Sequence, residues 1–346
     1  ESEELTMKTI ISPEPGKVCL GDIPVPTPGP YEALVKIEAC AICNHTDMMF
    51  VNREFGGPEG GGHPEGVPIN LGHESAGVVI ALGEKCRNFK VGDRVLRAHT
   101  WGHYPGGIGS EGGMSEYGVV QDLKAIQEDG VDIPLNYQCT KHQILPEGIN
   151  SVQGAIMITL KETWQTLRNF DIKPGEPLGI VGTGPVAVCF TKFAKIMGAS
   201  PIIVFGRRAD HEKKFKGAGA DMYVVGNDFP QELKDMIANG GIGKVIEAVG
   251  SDSALKMCLD VVGEKGTVQL YGAAPGLSWA PELRNDPRVW VKWPDEEDAN
   301  EEMAQLVLDG KVNPYEFISH VLQPEDCEFG FEQIKSHKAT KVVFLF

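Results

Sequence analysis

From residue 178 onward, strand-like runs and helix-length segments alternate: 178–181 then 185–198, 201–205 then 209–218, 222–225 then 229–239, 243–248 then 252–262, and finally 266–272. Short, nearly continuous apolar runs suit strands buried on both faces. The segments between them are long enough to cross back over a sheet. A chain patterned this way has few choices: the strands lie parallel, the crossovers are right-handed, and helices cover both faces. The pattern predicts a doubly wound α/β domain.

Residues 7–150 have another character. Ala33–Ile37, Ala76–Ala81, Asp93–Leu96 and Glu116–Val120 are short β-like runs closely punctuated by Gly and Pro. A small β-rich barrel or sandwich is expected there, with a long loop over residues 55–70. Beyond the alternating region the chain offers one more helix, near 297–309, and a last strand over 341–346.

The first predicted strand of the alternating region runs into Gly182-Thr183-Gly184-Pro185-Val186-Ala187. This is G-x-G-x-x-A at a strand-to-helix junction. The first glycine permits the tight turn, the second lets backbone approach a pyrophosphate, and Ala187 allows close helix–strand packing. Amide groups at the helix start then face anionic oxygens. An acidic residue about 20 residues further on usually binds the adenosine ribose 2′-hydroxyl. Here the tip of the second strand reads Gly206-Arg207-Arg208. Gly206 leaves room and two guanidinium groups supply charge for a 2′-phosphate. The expected cofactor is therefore NADP(H) rather than NAD.

At 346 residues the chain suits two domains. A formal net charge of −16 argues against nucleic acid and anionic membranes as partners. No stretch approaches 18 uninterrupted apolar residues, and the acidic start has no apolar leader. Eight scattered cysteines, mostly in apolar runs, suit a reducing compartment, and a cytoplasmic protein is expected. Cys40-x-x-Cys43 lacks a thioredoxin-like βαβ context.

A second constellation joins Cys43 in Ala39–Asp47 to His73 and Glu74 in Asn70–Val79. Thiolate, imidazole and carboxylate together form a usual catalytic-zinc donor set, and three protein ligands leave one position open for water or substrate. As a bland alternative, Cys43 is a core thiol and His73–Glu74 a hydrogen-bonded pair capping a strand.

With these residues in view, the chain resembles the zinc-dependent medium-chain dehydrogenases, which include alcohol, polyol, sugar and threonine dehydrogenases. The resemblance covers residues 7–346. It rests on Cys43 to Asp47, Gly72-His73-Glu74, Val91-Gly-Asp-Arg-Val95, Gly112-Gly-x-x-Glu-Tyr117, the glycine turn and Glu247-Ala-Val-Gly250. It implies a GroES-like catalytic domain over 1–150, a Rossmann domain over 151–285, and a return to the catalytic domain over 286–346. It implies reversible hydride transfer between a small-molecule alcohol and its ketone or aldehyde, one catalytic zinc on Cys43, His73 and Glu74, and a homodimer or homotetramer. Thr46 would pass the substrate proton and Asp47 would support the metal ligands from behind. Val249, Gly250, Gly272 and Ala273 would lie near the nicotinamide ring.

The chain also departs from the pattern. Asn44 and His45 place Thr46 three residues after the cysteine instead of two, so His45 is an alternative relay or metal contact. Ile158 stands where many polyol-type members carry a glutamate; either water completes the shell or metal binding is weakened. Glu162, one turn on, is an alternative donor or a solvated helix face. The region from Arg97 to Gly107 holds no cysteine, so no structural zinc is expected. His99, Trp101, His103 and Tyr104 are candidates to line a cleft for a hydroxylated substrate. Two other outcomes stay open: a zinc-free NADPH-dependent reductase, or an NADPH-binding protein without turnover.

Overall fold

The computed structural model describes residues 5–54, 66–98, 112–132, 139–272 and 279–346. The chain divides into two compact units, one formed by 1–161 with 296–346 and the other by 162–295.

The first unit opens with β1 (Thr6–Ser12), β2 (Cys19–Pro24), β3 (Glu32–Ala41), α1 (Thr46–Val51), β4 (Ile69–Asn70), β5 (Glu74–Leu82), β6 (Arg94–Arg97), β7 (Tyr117–Gln121), α2 (Leu123–Asp129), β8 (Gln143–Ile144) and the first part of α3 (Ser151–Asn169), whose residues from Glu162 belong to the second unit. The second unit continues with β9 (Leu178–Val181), α4 (Pro185–Ile196), β10 (Ile202–Gly206), α5 (Glu212–Ala218), β11 (Met222–Val225), α6 (Gln231–Ala238), β12 (Ile242–Glu247), α7 (Asp252–Val261), β13 (Val262–Leu270), α8 (Pro281–Arg284) and β14 (Val289–Trp290). The chain then returns to the first unit as α9 (Asn300–Leu308), β15 (His320–Leu322), α10 (Cys327–Lys335) and β16 (Val342–Leu345).

In the first unit, β2-β1-β4 form one sheet and β15-β16-β3-β5-β6-β8 another, with β7 also on β3. Every pair is antiparallel except β15 with β16. Strand β3 is the hub, paired to β16, β5 and β7. Its last residues, Ala39 to Ala41, are fully buried. Beneath that end lies a core of Cys40, Ile42, Phe50, Leu71, Met114 and Phe344.

The second unit is one parallel sheet ordered β11-β10-β9-β12-β13-β14. All four residues of β9 are buried, as expected for a central parallel strand. The strand order reverses between β9 and β12. A crevice outside the carboxyl ends at such a switch point is where this architecture accepts ligands. Among the described residues no helix is long and apolar enough to cross a membrane.

The alternation read from the sequence gives the strands and helices of the second unit to within a few residues. The junctions lie about ten residues further on than 150/151 and 285/286. The cause is α3, which runs unbroken from Ser151 to Asn169 while its first half is fastened into the first unit. Thr159 Oγ1 donates to Glu74 Oε1 at 3.1 Å, and Lys161 Nζ to Gln143 Oε1 at 3.1 Å and Asn300 Oδ1 at 2.7 Å. Strand β13 starts at Val262, earlier than the expected 266, because α7 passes into it without an intervening loop.

Candidate functional site

The antiparallel register of β3 and β5 sets Ala41 opposite Glu74. Cys43 is two residues past that pair on one strand and His73 is one residue before it on the other. Register alone therefore delivers both to the same sheet edge. The ligand atoms of Cys43, His73 and Glu74 all lie within 4.8 Å of one another. Glu74 is buried; Cys43 and His73 are half-buried.

Asp47 ties the two chain segments together. It is fully buried on the first turn of α1. Its Oδ2 accepts from the Cys43 backbone N–H at 2.7 Å, and its Oδ1 from that of Gly72 at 3.1 Å. Oδ1 also faces His73 Nδ1 at 3.7 Å, a charge contact longer than a hydrogen bond. A carboxylate beside Nδ1 favours a proton on that nitrogen and orients the ring. Thr46 starts α1, and its backbone N–H lies 3.4 Å from the Cys43 sulfur. The extra residues reappear as a local feature: His45 is the N-cap, and Asn44 Nδ2 donates to the Thr340 carbonyl at 3.0 Å.

Sequence reasoning missed Lys341. Strand β16 pairs with β3 with Val343 opposite Ala41, and the Ile42 N–H donates to the Val342 carbonyl at 2.9 Å. Lys341, just before β16, thus emerges beside the cluster. Its Nζ donates to Glu74 Oε1 at 2.8 Å, to Oε2 at 2.6 Å and to the Ile42 carbonyl at 3.0 Å. Both side chains are almost wholly buried. Burial alone would lower the lysine pKa; the negative charges of Glu74, Cys43 and Asp47 outweigh it, so the net shift is upward. Lysine and glutamate here are separated by 267 positions, and no local pattern announces the pair.

Helix α3 contributes Thr159 to Glu74, not a fourth metal-binding side chain. Ile158 is buried and apolar. Glu162 is half-buried and belongs to the second unit. Cys40 is fully buried, and burial raises its thiol pKa well above the ordinary value, so it behaves as a core residue.

In the second unit Gly182 adopts a φ of 134°, and Pro185 begins α4 behind Gly184 as N-cap. Thr183 and Val186 flank that turn. At the tip of β10, a Cβ on Gly206 would sit 2.2 Å from Tyr223 Oη and 2.6 Å from Thr183 Cγ2. The room expected beside Gly206 is thus taken up by Tyr223 and Thr183, which exclude a side chain at that position. Arg207 is exposed, with no ion pair to a described residue, whereas Arg208 is engaged by Asp210 at 3.1 and 2.7 Å. A third cation joins them: Lys214 Nζ lies 3.4 Å from the Thr183 carbonyl, and burial and then Arg208 lower its pKa. In the sequence Lys213 and Lys214 read as lysines that either add to the charge of the two arginines or face water. Val249, Gly250 and Gly272 stand at the carboxyl ends of β12 and β13; Ala273 lies outside the described residues, as do His99, Trp101, His103 and Tyr104. A cavity of about 570 Å³ bordered by Arg168, Asp171, Lys173 and Met197 holds none of the candidate residues.

Known proteins bear on this arrangement. The family model for the alcohol dehydrogenase GroES-like domain matches residues 29–128, and that for zinc-binding dehydrogenases matches 185–289. The chain is 26% identical over 340 residues to a sorbitol dehydrogenase of Halalkalibacterium halodurans, covering 95% of both chains. It is 25% identical over 361 residues to an L-threonine 3-dehydrogenase of Shewanella baltica, covering 94% of this chain and 95% of that one. A zinc-binding dehydrogenase from Sinorhizobium meliloti, solved with NADP bound, shares the fold with a TM-score of 0.76 at 22% identity, covering 99% and 100% of the two chains.

Proposed function

The chain belongs to the zinc-dependent medium-chain dehydrogenases, and from that premise we propose that it transfers hydride between an alcohol, of polyol or sugar-like type, and NADP(H), with the matching ketone or aldehyde as the other partner. The cluster of Cys43, His73 and Glu74 within 4.8 Å carries this reading. The donors fit zinc by type. They also fit by charge: with Cys43 as the thiolate a metal would bind, Cys43, Glu74 and Asp47 bring three negative charges to the side of Lys341, and a divalent ion would offset the excess. Glu74 Oε2 accepts only from Lys341 among the described residues, which leaves it a lone pair for a metal.

Zinc held there would supply Lewis acidity toward a substrate oxygen, and NADP(H) on the second unit would supply the hydride carrier. The protein's own groups do the rest. Asp47 fixes the Cys43 backbone and turns the His73 ring. Lys341 and Thr159 hold the Glu74 carboxylate in one orientation. Thr46 is the candidate to carry the substrate proton, with His45 beside it in the chain as the alternative relay. The kinship with a sorbitol dehydrogenase supports a hydroxylated substrate.

Zinc analysis of the purified protein, joined to turnover with a panel of polyols, sugars and simple alcohols against both cofactors, tests the proposal. Zinc near one per chain and activity with NADP are expected; a zinc-free protein that reduces no carbonyl would overturn it. Cofactor choice has its own test. Arg207→Glu is expected to weaken NADPH binding by about tenfold or more while changing NADH binding little, because a charge-assisted phosphate contact becomes a repulsion. Equal losses for both cofactors would remove the 2′-phosphate assignment.

A further inference from the structure

Glu247 ends β12, where the register sets it beside Val181 of β9, the residue before the glycine turn, and beside Leu270 of β13. It is fully buried. Its Oε1 accepts from the backbone N–H groups of Val249 at 3.0 Å and Gly250 at 2.9 Å. Its Oε2 has no hydrogen-bond partner among the described residues. Three backbone segments close around it. A Cβ on Gly182 would lie 3.0 Å from the Ala248 carbonyl, and one on Gly272 would lie 2.2 Å from Gly250 N and 2.6 Å from Glu247 Oε2. A buried acid thus props the turn lining the switch-point crevice, with one oxygen unanswered.

We propose that Glu247 is a positioning residue for the dinucleotide that is linked to protons: its carboxyl holds the Val249–Gly250 turn against the glycine turn, and it takes up a proton when the cofactor phosphates arrive. This rests on the reading that the crevice binds a dinucleotide. Burial pushes the Glu247 pKa up to about 7, against the opposing pull of backbone amides at Gly250, Val249, Ser251 and Gly272. The titratable group facing it from α7 is the Cys258 thiol, itself fully buried and raised by burial and then by Glu247. From β9 and β13 it meets apolar Val181 and Leu270, followed by Tyr271, whose ring packs edge-on against Phe190 of α4 at 4.9 Å. With no cation among these neighbours, added phosphate charge disfavours the carboxylate further. Cofactor binding is then strongest below about pH 7 and weakens as the free protein deprotonates.

The test uses the full chain, with NADPH and with NADH, which lacks the titrating 2′-phosphate. Calorimetry in two buffers of different ionisation enthalpy counts protons, and nicotinamide fluorescence gives Kd between about pH 6 and 9. The wild type is expected to take up part of a proton with either cofactor and to lose about tenfold in affinity across that range. Glu247→Gln is expected to abolish the NADH-linked uptake and flatten the NADH profile. Binding by both proteins with the same pH profile would overturn the inference and leave the dinucleotide reading intact. A wild type that binds neither cofactor takes down both. If Glu247→Gln does not fold, the wild type decides: NADH binding without proton uptake overturns the inference.

Discussion

Cys43→Ala is expected to leave the protein without stoichiometric zinc and to lower alcohol turnover by at least about a thousandfold, since Lewis-acid assistance contributes several kcal/mol to such a barrier. The sulfur is one of the three donor atoms gathered within 4.8 Å, and alanine offers nothing in its place. The candidate cofactor residues, 182–186, 206–208, 249, 250 and 272, all belong to the other unit. NADPH affinity should therefore change by less than about twofold, since a carrier bound elsewhere keeps its contacts. Metal analysis, steady-state rates and a fluorescence titration on one preparation check all three. A variant that keeps its metal or its rate would end the zinc mechanism.

Lys341→Met is expected to destabilise the metal-free protein by about 3–5 kcal/mol, because it strands a buried carboxylate without its counter-charge. Glu74 donates nothing and, among the described residues, is reached only by Lys341 and Thr159, so the remaining hydroxyl cannot replace an ammonium. The double variant Lys341→Met/Glu74→Gln is expected to regain most of the loss, since no charge is then left in the low-dielectric site. Urea denaturation after chelation measures both. A loss below about 1 kcal/mol for the single variant would mean that the pair is solvated and that Lys341 does not set the state of Glu74.

The sequence carries the second unit well because its signals are local. Each strand of the parallel sheet is a short apolar run, and the turn at Gly182 needs only neighbours in the chain. Cys43, His73 and Glu74 were legible as donor types, and the β3–β5 register explains why they meet. What escaped depends on long separations. Lys341 reaches Glu74 through the pairing of β16 with β3, a match that no spacing encodes. Thr159 carries no signal of its own, standing on α3 one position past Ile158, where many polyol-type members carry a glutamate. Glu247 read only as part of a motif; its unanswered oxygen is a property of packing. The two arginines looked equivalent, yet Asp210 occupies one of them.

The path of the chain has one more consequence. The second unit is an insertion within the first, placed between β8 with the first half of α3 and the returning α9 to β16. As a ribosome extends the polypeptide, Cys43, His73 and Glu74 emerge early but wait for the whole insertion before the strand beside Ile42 can dock. Since units tend to fold as they appear, the parallel sheet can mature first, while the earlier half holds an unneutralised acid and open strand edges. Vectorial synthesis therefore makes the metal-binding half the later one to finish and the more exposed to chaperones or mispairing.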